Sequence, residues 1–143
     1  IIFAEAAVNE GKEAVQSQSY GPEARGGASK SEVIIDDKPI YHPHVQQPDL
    51  VLAMTQKAAD KYYSDLHEDG ILVLDEDLVP EPPKFKNIIK IPITKLAIEQ
   101  VGKPLFANIV ALNTYCNRDC FHEAISLDFI HWESFGHFPI VSA

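Results

Sequence analysis

The spacing of apolar residues changes several times along this chain, and each change predicts an element. Residues 1–8 (IIFAEAAV) follow a helical rise, with Ala4, Ala6 and Ala7 as strong helix formers. Gly11 ends that helix, as a glycine just past the last turn does. Residues 14–20 (AVQSQSY) alternate and read as a strand. Residues 20–29 (YGPEARGGAS) hold three glycines and a proline, the composition of a loop. Residues 31–35 form a β-branched strand, and Asp36-Asp37-Lys38-Pro39 turns the chain toward Ile40 and Tyr41.

The middle of the chain has a different texture. Residues 50–54 (LVLAM) and 71–74 (ILVL) are uninterrupted apolar runs, the pattern of strands covered on both faces. Between them Thr55 can cap a helix whose apolar face is Ala58, Ala59, Tyr62, Tyr63 and Leu66, with the two tyrosines as core and surface. Residues 67–70 break it. Pro80, Pro82 and Pro83 make a stiff connector too short to separate two cores. Residues 88–93 give a third strand of this set, and residues 94–101 a short helix ended by Gly102. Pro104 opens a longer helix with Leu105, Ile109 and Leu112 on one stripe and Phe106 and Val110 on its flank. The order strand, helix, strand, strand, helix predicts an α/β sandwich with parallel strands at its centre. Beyond Cys120 the chain crowds Phe121, Ile125, Phe129, Ile130, Trp132 and Phe138 among His122, His131 and His137. A helix fits residues 121–130; after Trp132 the pattern dissolves.

Composition narrows the class. At 143 residues and 15.9 kDa the chain suits one domain with no need of a disulfide or metal staple. Lys and Arg total 12 against 21 Asp and Glu, and the net charge of −9 argues against binding nucleic acid or an anionic membrane surface. No apolar run reaches the roughly 20 residues of a membrane span. Residues 1–8 lack a basic flank and contain Glu5, so they are not a secretory signal. Cys116 and Cys120 are too few for a disulfide framework and suit a reducing cytoplasm. A fold seldom opens on a buried helix without an initiator Met, which predicts further sequence upstream of Ile1.

The loop of residues 20–29 is the richest in chemistry. Gly26-Gly27 lets backbone N–H groups converge on an anion, and Arg25 offers a guanidinium fork for phosphate or carboxylate. Glu23 stands two residues away and could orient Arg25. The same residues also suit a tight turn in which Glu23 and Arg25 seal a subunit contact, and chemistry alone leaves both readings open. Cys116, Cys120 and His122 could present soft ligands on a helix face, but a structural zinc needs four ligands. Four cysteines are needed for an iron–sulfur cluster, and the chain has two. His42 and His44 flank Pro43 and read as solvated loop residues. Asp75 and Asp77 follow an apolar strand, at the edge where α/β folds bind ligands; they could hold a magnesium ion or simply solubilise a turn. No Ser-His-Asp or Cys-His arrangement has supporting context.

Three strings carry a family resemblance: QSQSYGPEARGGASKSEVII (residues 16–35), PDLVLAMTQKAADKY (residues 48–62) and ANIVAL (residues 107–112). In this order and spacing the chain resembles the gamma subunit of 2-oxoacid:ferredoxin oxidoreductases, most of all the 2-oxoglutarate type. The resemblance implies a Rossmann-like three-layer α/β sandwich with a mostly parallel sheet. It covers about residues 1–117 of a single domain over 1–143, with 118–143 an unassigned tail. The family opens with a strand and a GxGGQG loop before its first helix. Neither is present here, so the domain reads as incomplete at its N-terminus, with the first strand missing.

The resemblance further implies oxidative decarboxylation of a 2-oxoacid to an acyl-CoA, with electrons passed to ferredoxin. Thiamine pyrophosphate, Mg and the iron–sulfur cluster would sit on alpha, beta and delta partner subunits, with CoA as substrate. The candidate residues for cofactor binding or subunit contact are Tyr20, Gly21, Glu23, Arg25, Gly26, Gly27 and Ser29 in the loop, and Asn108 in ANIVAL. No catalytic residue and no metal ligand is assigned to this chain. Two other classes compete: a stand-alone nucleotide- or CoA-binding module, and a purely structural interface subunit.

Overall fold

The computed structural model describes residues 1–19 and 30–116. They fall into two compact units. In the first, within Ile1–Val45, helix α1 (Ile2–Asn9) precedes strands β1 (Glu13–Ser19) and β2 (Lys30–Asp36). The second, Gln46–Thr114, contains β3 (Leu50–Ala53), α2 (Gln56–Tyr62), β4 (Ile71–Asp75), β5 (Ile88–Ile91), α3 (Ile93–Val101) and most of α4 (Ala107–Cys116).

In the first unit α1 ends as its sequence predicts. Gly11 takes φ +82°, its N–H donates to Val8, and the N–H of Lys12 donates to Ala7, the paired bonds of a Schellman stop. The expectation of a buried first helix needs correcting. Ala7 is fully buried, but Ile1 and Val8 are exposed, at 62% and 55%. The strands β1 and β2 then pair antiparallel, in register from Glu13–Asp36 through Val15–Ile34 to Ser19–Lys30. They form a two-stranded sheet of their own.

The second unit carries the predicted parallel sheet, but the expectation that residues 50–54 are covered on both faces needs correcting, because Leu52 on the edge strand β3 is 36% exposed. Its strand order is β3-β4-β5, with β4 central and every neighbour parallel. Leu72 and Leu74 point to one face and Val73 to the other; all three are buried, which is why this strand shows no polar alternation. Leu72 and Leu74 join Ala53, Ala59, Leu66 and Val79 in the core, with Val51, Ala58, Tyr63, Phe85 and Ile88 packed around them. Thr55 caps α2 as expected, its Oγ1 accepting the Ala58 N–H at 3.3 Å. The helix is shorter than its apolar face implies. It ends at Tyr62, and a 3-10 turn, Tyr63–Asp65, carries the chain to buried Leu66.

Two further boundaries shift. Pro92 stops β5 at Ile91, and α3 begins at Ile93, which is fully buried. Gly102, at φ +80°, closes α3 by donating to Ile98. The stripe predicted for the last helix does not begin at Leu105. Residues Pro104–Phe106 form a 3-10 turn with Leu105 46% exposed, and among the α4 residues whose burial is described Ala107 and Ala111 are the buried ones. No helix among the described residues is long and apolar enough to cross a membrane.

Candidate functional site

Two places hold polar groups in fixed geometry, one in each unit. The first is the end of the hairpin from which residues 20–29 continue. The pair Ser19–Lys30 is the last in register, so residues 20–29 connect two strand ends that pairing holds side by side. Next to this end, Glu32 on β2 is largely sequestered, its side chain 12% exposed. Lys30 Nζ donates to its Oε1 at 2.6 Å and Ser17 Oγ, from the facing strand, to its Oε2 at 3.0 Å. Lys30 above all, and then Ser17, hold the Glu32 carboxyl below its ordinary range against the opposing cost of desolvation. His44 Nδ1 lies 3.7 Å from Glu32 Oε2, with its side chain 79% exposed. His42 and His44 are therefore the surface residues their sequence context predicts, with His44 leaning on the hairpin.

A second polar focus is the carboxyl edge of the parallel sheet. Asp75 is the last residue of β4, and none of it is exposed. Its Oδ1 accepts the N–H groups of Asp77 at 3.0 Å and Leu78 at 3.3 Å. Its Oδ2 accepts the Thr94 N–H at 2.9 Å and the Thr94 hydroxyl at 2.6 Å. Both sequence readings of Asp75, a magnesium ligand or a turn solubiliser, are thereby corrected: the carboxylate is buried and all four donors come from the protein. It fastens the end of β4 to the first turn of α3 and to the start of the crossover toward β5. That crossover has no helix. Val79 plugs it into the core, and the Gln56 amide clamps it at Glu81, donating to the backbone O at 2.6 Å and accepting the N–H at 3.1 Å.

Of the residues predicted for cofactor binding or subunit contact, only Asn108 lies within the described residues. It is exposed in the first turn of α4, and its Oδ1 accepts the N–H of Ile109 at 2.9 Å. Tyr20, Gly21, Glu23, Arg25, Gly26, Gly27 and Ser29 lie outside them, as do Cys120, His122 and the helix expected over residues 121–130. Among the described residues no group of three or more His, Cys, Asp or Glu is arranged to hold a metal ion.

Sequence reasoning passed over Ser17, Lys30, Glu32 and Thr94. The signal for Thr94 was legible: a threonine two residues after Pro92, at a helix start, is a place where side chain and backbone both seek an acceptor. For Glu32 and Ser17 the signal exists only once the register is known, because it is the pairing that sets them opposite each other.

The model of the family described as pyruvate ferredoxin/flavodoxin oxidoreductase matches residues 1–127. The chain belongs to that family. It is similar to the 2-oxoglutarate synthase subunit KorC of Methanocaldococcus jannaschii, at 52% identity over 110 residues, covering 75% of this chain and 59% of the relative. KorC of Methanothermobacter marburgensis is 44% identical over 114 residues, covering 75% and 61%. Among solved structures, a keto/oxoacid ferredoxin oxidoreductase gamma subunit from Geobacter sulfurreducens matches with a TM-score of 0.68 at 52% identity, covering 80% of this chain and 64% of that one. The pyruvate oxidoreductase subunit PORC of Thermotoga maritima matches with a TM-score of 0.59 at 25% identity, covering 76% and 61%. The family member described here thus spans about three fifths of the length of these KorC relatives, and shares the mixed α/β fold of the oxidoreductase gamma subunits.

Proposed function

We propose that this chain serves as a gamma-type subunit of a 2-oxoacid:ferredoxin oxidoreductase, with 2-oxoglutarate as the 2-oxoacid. The observation that carries this reading is the 52% identity to a 2-oxoglutarate synthase subunit over 110 residues. The reaction converts the oxoacid and CoA to an acyl-CoA and carbon dioxide, and the electrons released pass to ferredoxin. Carbanion chemistry of this kind belongs to thiamine pyrophosphate, and electron transfer to an iron–sulfur cluster. This sequence has two cysteines where a cluster needs four, and among the described residues the fully buried carboxylate, Asp75, has both oxygens occupied by protein donors, which supports placing both roles elsewhere. We therefore assign thiamine pyrophosphate, its Mg ion and the cluster to alpha, beta and delta partner subunits, in a cytoplasmic complex.

In this reading the loop of residues 20–29 is the working surface. Arg25 supplies the fork for a carboxylate or for a phosphate of CoA, Glu23 orients it, and Gly26-Gly27 lets the backbone approach. Tyr20, Gly21, Ser29 and Asn108 complete the candidate contact set. Pairing of Ser19 with Lys30 and the bonds on Glu32 support the role by fixing the two ends from which the loop springs.

The test is purification of this protein under native conditions from its own cells. The reading expects thiamine-binding and iron–sulfur chains to co-purify, and the complex to reduce viologen only when both 2-oxoglutarate and CoA are supplied. The chain by itself should reduce none. Turnover by the isolated chain, or its purification free of such partners, would overturn the assignment.

A further inference from the structure

We draw no further inference here: the strongest candidate, the exposed apolar strip formed by Ile98 and Val101 on α3 and Leu105 in the turn that follows, carries nothing because nothing in the structure shows what covers it.

Discussion

The hairpin of β1 and β2 and the central strand β4 of the parallel sheet are built on opposite terms, with the flanking β3 and β5 each burying one residue and exposing Leu52 and Lys90. Each residue of β4 after Ile71 is buried, including a carboxylate. In β1 and β2, by contrast, no residue whose burial is described reaches that state, and Ala14, Val15, Val33, Ile34 and Ile35 are all half-buried. A buried strand earns its stability from dispersion and exclusion of water and tolerates no unpaired polar group. A half-buried strand depends on cross-strand pairs, each contributing about 0.2–1 kcal/mol, and keeps its polar side chains available. The difference teaches where each unit can change. The central strand is a scaffold that resists substitution, and the hairpin can present variable chemistry at the end that residues 20–29 connect.

The largest effects should fall on the sheet. Asp75→Ala would leave four donors without an acceptor, and the expected loss is about 3–5 kcal/mol, in the range reserved for broken buried networks. Asp75→Asn, which retains one acceptor oxygen of two, should lose less. Urea denaturation of both variants measures this, and equal midpoints with the parent protein would remove Asp75 from its place as a fastener. Leu72→Ala should cost about 2–5 kcal/mol, whereas Val15→Ala in the hairpin should cost about 1 kcal/mol or less. Comparable losses at the two sites, read from the same denaturation curves, would erase the contrast.

Two glycines grade the packed centre of the second unit against its periphery. A Cβ on Gly70, just before β4, would meet Leu66 Cδ2 at 2.8 Å and the backbone oxygens of His67 and Asp49 at 3.0 and 3.1 Å. Gly70→Ala should therefore destabilise by about 1–3 kcal/mol through overpacking. Around Gly102 there is nothing within 4 Å, so Gly102→Ala meets only the cost of positive φ, about 1 kcal/mol. Thermal unfolding of the two variants should rank them in that order.

The smallest effect concerns acid. Glu32 has its pKa lowered in the fold, chiefly by Lys30, so it binds fewer protons there than in the unfolded chain. Its contribution is present above the ordinary value of 4.5 and disappears as pH falls through the lowered folded value. Glu32→Gln should make stability fall less steeply on acidification below pH 4.5, while leaving its slope near neutrality unchanged. An unchanged acid limb would mean that the Lys30 and Ser17 bonds contribute nothing in solution.

How much of this was legible in the sequence follows the same division. The apolar run of β4 predicted its place at the centre of the parallel sheet because burial on both faces leaves a signature that needs no knowledge of neighbours, whereas the similar run of β3 leaves Leu52 36% exposed at the sheet's edge. Gly11, Gly102 and Thr55 marked helix ends because stops and caps are local chemistry. The errors came where tertiary contacts decide. Asp75 looks like a surface acid until Thr94, from a distant helix start, meets it. Leu105 fits a helical stripe but sits in a 3-10 turn before α4, leaving Ala107 and Ala111 to make the contact. The candidate loop was readable as chemistry, from Arg25 and its flanking glycines, but no spacing rule says what that chemistry meets.

The most direct test of the proposed working surface is therefore made in the reconstituted complex, with Arg25→Ala compared against Arg25→Lys. Assembly, CoA affinity and 2-oxoglutarate-dependent turnover are measured separately for each variant. A fork desolvated against a carboxylate or phosphate predicts a loss of about 2–5 kcal/mol in assembly or CoA affinity for Arg25→Ala. The lysine variant should restore little of it, because an ammonium keeps the charge and loses the paired donors. Parent values for Arg25→Ala in all three measurements would contradict the account and leave residues 20–29 as an ordinary connection between two strands.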